Sequence, residues 1–218
     1  MFAGLVIDER EVTAQLDDTT ASILASAARD RLDSILPGEG TPAFHLLARW
    51  RWLAATVPGI VPLIDDAFWT DFLARLCQGE RSLASVRDKD WHAPLLESLD
   101  YKQRRDLDEL APARMTLPSG GTASLVYEPG RPPVLAARIQ ELFGWKETPR
   151  VAGGRVRVLL HLLAPNFRPQ QVTDDLESFW NTTYQVVRKE LRGRYPRHPW
   201  PEDPWTAQAV RKPGGPRN

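Results

Sequence analysis

GGRVRVLLHLLAP, residues 153 to 165, is the stretch on which the fold turns. Val156, Val158, Leu160 and Leu162 alternate with Arg155, Arg157, Leu159 and His161, the period of two that sends successive side chains to opposite faces of a strand. It reads as a central strand, not an edge. Upstream, RMTLPSGGTASLVYE (114 to 128) carries β-branched and alternating residues on both sides of Ser119-Gly120-Gly121, a hairpin signal with glycine available for positive φ. Between hairpin and strand, GRPPVLAARIQELFG (130 to 144) reads as a helix, with Pro132 or Pro133 in its first turn and Gly144 just past its end. Downstream, TDDLESFWNTTYQVVRKELRG (173 to 193) is the strongest helical segment in the chain. Thr173 or Asp174 caps it, Asp175 and Glu177 lie near the positive end of its dipole, and Arg188, Lys189 and Arg192 lie near the negative end, before Gly193 stops it.

Farther out, residues before Pro112 are helical in pattern. Thr19 or Thr20 caps a first helix with Ile23, Leu24, Ala27, Ala28, Leu32 and Ile35 on its apolar stripe, stopped by Pro37-Gly38. Pro42 opens a second, with Phe44, Leu47, Trp50 or Arg51, and Ala54 along it. Asp65 or Asp66 caps a third that buries Phe68, Phe72, Leu73 and Leu76 and leaves at Gly79. Shorter helices follow at 93 to 99 and 101 to 110. At the start, FAGLVIDER (2 to 10) reads as one strand, which either pairs with later residues or belongs to a sheet whose other strands are not here. The expected fold is α+β and mostly helical: a helical module, then a small mixed module with a hairpin, one central strand and a long C-terminal helix.

The 42% of apolar residues suffices for an ordinary core in a chain of 218. Basic and acidic residues balance at 28 each, so no global field draws the molecule to nucleic acid or membrane. The balance conceals an asymmetry. Residues 1 to 112 hold 12 Lys or Arg against 19 acids, and residues 113 to 218 hold 16 against 9, which makes the second half the better candidate for touching phosphate. Cys77, the one cysteine, allows no internal disulfide and fits a cytoplasmic setting. No apolar run approaches the length of a membrane span, so membrane insertion is not expected.

The chemistry-bearing candidates concentrate after residue 187. At 100° per residue, Leu176, Phe179, Trp180, Thr183, Val187 and Leu191 fall on one helical stripe, with Ser178, Asn181, Gln185, Arg188, Lys189 and Arg192 opposite. That polar face either presents cations to a phosphate backbone or is a solvated face with favourable dipole charges. Arg194, Arg197, His198 and Trp200 add guanidinium and aromatic planes able to stack on unpaired bases. Trp200, between Pro199 and Pro201, serves equally well as a plug that pins the tail to the core. His45, His92, His161 and His198 lack zinc-ligand spacing, and Cys77 sits in an apolar helical stripe. Asp65-Asp66 and Asp174-Asp175 are explained by capping. The glycine turns at 120 to 122 and 152 to 156 lack the Gly-Lys-Ser/Thr ending of a phosphate-binding loop. No catalytic, cofactor or metal residue is assigned.

The segment from Arg131 to Pro204, and most sharply SFW (178 to 180), VRKELRGRYP (187 to 196) and HPWPEDP (198 to 204), resembles the carboxy-terminal region of the HrpB-type bacterial ATP-dependent helicases, a branch of the DEAH-box family. The resemblance spans about residues 112 to 204. It continues more loosely through LLESLDYKQRRDLDELAP (95 to 112), and FAGLVIDER looks like the last strand of the family's OB-like domain. It implies an RNA helicase whose ATP and Mg are bound between two RecA-like motor domains, by motifs not found in these 218 residues. For this chain it implies an accessory region attached behind the motor domains and does not fix the role of that region, which is expected to be either RNA contact or protein docking. The expected organisation is a remnant strand at 1 to 10, a helical module at 11 to 112, the HrpB-type module at 113 to 205 and a flexible tail at 206 to 218.

Overall fold

The computed structural model describes residues 15 to 211, and the strand expected at 2 to 10 lies outside them. The fold is α+β and mostly helical. In chain order the helices are α1 (Asp18–Asp30), α2 (Leu32–Ile35), α3 (Pro42–Thr56), α4 (Asp66–Leu76), α5 (Leu83–Asp88), α6 (His92–Glu97), α7 (Tyr101–Leu110), α8 (Leu176–Ser178) and α9 (Tyr184–Arg194). The strands are β1 (Arg114–Thr116), β2 (Thr122–Val126), β3 (Val134–Arg138), β4 (Arg150–Val151), β5 (Val156–Arg157), β6 (Leu159–Leu163) and β7 (Pro169–Thr173). Two compact units are formed: one from residues through Ala43 together with Ile64–Ser98, the other from Phe44–Leu63 together with Leu99 onward.

In the first unit α1 packs on α4 and α5, and α2 on α5. Asp17, not Thr19 or Thr20, caps α1, its carboxylate accepting from the Thr20 amide at 2.7 Å. Leu24, Ala28 and Ile35 are buried as the stripe requires, but Ile23 is exposed. On α4, capped by Asp65, the buried residues are Trp69, Phe72, Leu73 and Leu76, so Trp69 takes the place expected of Phe68. Trp69 and Phe72 meet the Trp91 ring at centroid distances of 6.4 and 5.5 Å, and the Trp91 indole donates to the Val86 carbonyl at 2.8 Å. Helix α5, absent from the sequence reading, brings Val86 into this cluster, its N-terminus capped by Ser82.

The second unit is built on a five-stranded sheet of order β1-β2-β3-β6-β7, mixed because β3 and β6 run parallel while the other pairs are antiparallel. The hairpin β1-β2 forms at Gly120, whose φ is 76°. The expected helix at 130 to 144 is not there. Val134–Arg138 instead lies along β6, with Val134 opposite Leu159 and Arg138 opposite Leu163, and the ladder begins where the Leu159 amide donates to the Pro133 carbonyl at 2.9 Å. A central strand offers every backbone group of its neighbour a partner, and this outweighs the modest helical preference of Leu-Ala-Ala-Arg. Helicity is left only to a single 3-10 turn, Ile139–Glu141, before Gly144 at φ 82°. As expected, β6 is central, between β3 and β7, but Val156 and Arg157 break away to pair with β4 in a separate two-stranded ribbon.

Two indoles of α3 are tied within this unit, Trp50 to the Pro62 carbonyl and Trp52 to the Arg131 carbonyl, each at 2.8 Å. The buried Arg49 guanidinium donates to the Ala111 carbonyl at 2.7 Å and lies 2.6 Å from Asp108. It thus satisfies carbonyl groups at the end of α7, where the helix dipole favours a cation. A capping box at the other end, Asp100 with Gln103, sets the start of α7.

Candidate nucleic-acid interface

The long C-terminal helix is α8 and α9 joined by a π turn, Phe179–Thr183, in which the Tyr184 amide reaches back five residues to the Phe179 carbonyl. Asp175 caps it, accepting from the Ser178 amide at 2.9 Å, while Thr173 ends β7 instead. One extra residue in the turn rotates everything beyond it. Tyr184 therefore enters the buried stripe beside Leu176, Phe179, Trp180 and Leu191, and Thr183 and Val187 are left half-buried. The Trp180 indole donates to the Trp145 carbonyl at 3.0 Å, and its ring meets Tyr184 edge-on at 5.2 Å. Gly193 does not stop the helix, which runs to Arg194 and closes when the Tyr195 amide donates to the Leu191 carbonyl at 2.7 Å.

The segment after the helix folds back along it. The Trp200 indole donates to the Tyr195 carbonyl at 2.9 Å, the Tyr184 hydroxyl to the Pro201 carbonyl at 2.9 Å, and the Gln185 side-chain Nε2 to the Glu202 carbonyl at 2.8 Å. Burial raises the Tyr184 pKa, keeping that hydroxyl a donor. Farther on, the Gly144 amide donates to the Pro204 carbonyl, and the Val210 amide to the Gln140 carbonyl, both at 2.9 Å.

These bonds divide the seven candidate residues into two groups. Arg188, Trp200 and His198 belong to the closure of the fold. Arg188 has a side chain only 16% exposed; its Nε donates to the Trp200 carbonyl at 2.8 Å and its Nη2 lies 3.1 Å from Glu202. Trp200 is 7% exposed, with its indole bonded to the Tyr195 carbonyl. Gln140 Nε2 contacts His198 Nδ1 at 2.9 Å; burial, and then the nearby Arg138 charge, lower the pKa of this ring. Lys189, Arg192 and Arg197 form the second group: they are exposed, and no described residue gives their side chains an ion pair or hydrogen bond. Arg194 stands between the groups, 3.5 Å from Glu190 in a pair whose members are both solvent-facing. The i,i+4 spacing of Glu190 and Arg194 was legible in the sequence. The capture of Arg188 by Trp200 and Glu202 was not, because it depends on the return path of the chain. Arg197, His198, Pro199, Trp200, Pro201 and Val210 line a shallow groove of about 660 Å3, in which Arg197 is the one of the three exposed cations present. Among the described residues no group of His, Cys, Asp and Glu could hold a metal ion, and no helix is long and apolar enough to cross a membrane.

The family described as ATP-dependent helicase C-terminal, HrpB_C, matches residues 72–204. The chain is similar to the ATP-dependent RNA helicase HrpB of Escherichia coli (strain K12), with 39% identity over 155 residues, 69% of this chain and 19% of that protein. It is also similar to two solved structures, each at 33% identity. The crystal structure of the E. coli DExH-box NTPase HrpB gives a TM-score of 0.83 over 94% of this chain and 26% of that one. The crystal structure of the Escherichia coli DEAH/RHA helicase HrpB gives 0.71 over 88% and 25%. The chain thus spans about a fifth of the curated relative and about a quarter of the solved chains.

Proposed function

Because the chain belongs to the family of HrpB-type ATP-dependent helicase C-terminal regions, we propose that it is the accessory region of a cytoplasmic DEAH-box RNA helicase and that it contacts RNA through the end of α9. Exposed cations without internal partners carry this reading: Lys189 and Arg192, one turn apart on α9, and Arg197 just beyond it. An exposed cation with no protein partner is free to displace counterions from a phosphate backbone, whereas one held inside the fold is not. Arg194 contributes weakly, since an exposed pair with Glu190 is worth ~0 to 1 kcal/mol and yields readily to a phosphate.

ATP and Mg belong to the motor domains, and this region supplies RNA grip and position behind them. No residue described here is assigned to hold either. An alternative role, docking on a protein partner through an exposed tryptophan, gains no support, because no tryptophan stands among the exposed large apolar residues. The deciding experiment is RNA binding by this chain across a salt series, single-stranded and duplex, with Lys189, Arg192 and Arg197 replaced together by alanine. Affinity that falls steeply with salt in the parent chain and much less in the triple variant supports the reading. A flat salt dependence in both removes it.

A further inference from the structure

The turn between β6 and β7 carries a side chain that the turn itself does not call for. It closes when the Ala164 amide donates to the Arg168 carbonyl and the Phe167 amide to the Ala164 carbonyl, both at 2.9 Å. Phe167 sits at φ 65°, in the left-handed region that glycine and asparagine enter readily and a bulky side chain enters under strain. Asparagine stands instead one position earlier, at 166, where its Oδ1 accepts from the Arg168 amide at 3.2 Å. The Phe167 ring gains little burial in exchange, being 65% exposed. It is nonetheless oriented: the Arg138 guanidinium lies over the ring, 5.1 Å from its centroid, and is itself fixed by Glu141 at 3.0 Å and by the Arg211 carbonyl at 2.7 Å. Beside it Arg168 is exposed, and no described residue gives its side chain an ion pair or hydrogen bond. Strain kept at a surface position, under an aromatic held in one orientation, points to a ligand.

We propose that Phe167 is the platform on which one unpaired base of a single-stranded RNA stacks, with Arg168 on an adjoining phosphate. The stacking rests on the RNA-contact reading above and adds to it a base, where the cations at the end of α9 grip phosphates only. With a guanidinium over one face of the ring, the opposite face is the one that receives the base. The surroundings select RNA over a protein partner. Asn166 and Arg168, the chain neighbours of the ring, are polar and exposed, whereas an aromatic that anchors a protein contact sits at the apolar, charge-depleted centre of its patch. A duplex is excluded by the same chemistry, since its bases are already stacked on one another. The site lies in the same unit as Arg197 and is linked to it through few contacts: Arg138 is two residues before Gln140, whose Nε2 lies 2.9 Å from Nδ1 of His198, the residue after Arg197.

The test is RNA binding by the whole chain, read by fluorescence anisotropy with an oligouridylate, with the same strand made abasic, and with a duplex. Phe167→Asn removes the ring and suits the positive φ, so the melting temperature should hold. Its affinity for the oligouridylate should fall about 5- to 150-fold, the worth of one stacked base, with the salt slope unchanged. Phe167→Trp should bind at least as tightly as the parent chain. The abasic strand and the duplex should bind the parent and Phe167→Asn alike. An oligouridylate affinity unchanged by Phe167→Asn overturns the proposal, as it would if the ring served a protein partner. An equal loss on the abasic strand, or a lowered melting temperature, also overturns it. The triple alanine variant of Lys189, Arg192 and Arg197 keeps the two readings apart. Affinity lost there and kept in Phe167→Asn refutes the stacking alone, affinity kept there and lost in Phe167→Asn refutes the grip by α9 alone, and no RNA binding by the parent chain refutes both.

Discussion

Arg188 Nε donates to the main-chain carbonyl of Trp200 at 2.8 Å. A side chain expected to face phosphate is thereby spent on the chain that follows it, and the indole of that same Trp200 returns a bond to Tyr195. The end of α9 and the Pro-Trp-Pro segment close on each other as a clasp.

Breaking the clasp should lower stability. Trp200→Ala should cost roughly 3 to 5 kcal/mol, as for other buried tryptophans, and Arg188→Ala roughly 1.5 to 3 kcal/mol for the loss of a charged hydrogen bond. Urea denaturation of the isolated chain measures both. An unchanged midpoint for Trp200→Ala would show that the segment does not close the fold.

Trp180 and Val186 provide an internal contrast on one long helix. Trp180 is buried with its indole bonded to the Trp145 carbonyl, and Val186 is 72% exposed. Trp180→Ala should cost roughly 3 to 5 kcal/mol and Val186→Ala less than about 0.5 kcal/mol. Equal losses would mean that the π turn does not set the helix face as described.

Alanine at Lys189, Arg192 or Arg197 should each flatten the slope of log affinity against log salt for single-stranded RNA by up to ~0.7, at little cost in melting temperature. Sequence preference should barely change, since phosphate contacts carry no base information. Arg188→Ala should do the reverse, lowering the melting temperature and leaving the slope alone. Fluorescence anisotropy at several salt concentrations distinguishes the two patterns.

His198 should make the fold sensitive to mild acid. Its Nδ1 lies 2.9 Å from Gln140 Nε2, and burial, then the nearby Arg138 charge, lower its pKa below the ordinary value. A group whose folded pKa is depressed contributes its stability above the unfolded value, about 6.5, and loses it as pH falls toward the folded one. The melting temperature should therefore drop more between pH 7.5 and pH 5 in the parent chain than in His198→Asn. Parallel pH profiles would assign the acid sensitivity to other groups.

The isolated chain should release no phosphate from ATP above a buffer blank, with or without RNA, since it has no Gly-Lys-Ser/Thr loop to hold the nucleotide. Turnover that persists through repurification would place a nucleotide site within these residues.

Local rules sufficed wherever one segment decided its own structure. The central strand over Leu159–Leu163, the glycine hairpin at Ser119-Gly120-Gly121, the boundaries of α7 and the burial of Trp180 were all legible, because period, turn chemistry and capping act over a few residues, whereas the departure of Val156 and Arg157 into a separate ribbon was not. The resemblance carried in VRKELRGRYP and HPWPEDP was likewise legible from residue order alone. Three features were decided only by tertiary structure. Val134–Arg138 became a strand because β6 offered a full ladder of hydrogen bonds, a gain that local propensity does not contain. Tyr184 rather than Thr183 entered the core because a π turn shifted the helical phase, and uniform steps of 100° cannot anticipate an extra residue. The cations at the end of α9 look equivalent in the sequence, yet the returning chain captures Arg188 and leaves Lys189, Arg192 and Arg197 to solvent, because a partner 14 residues away in sequence is set by the path of the backbone and by no local rule.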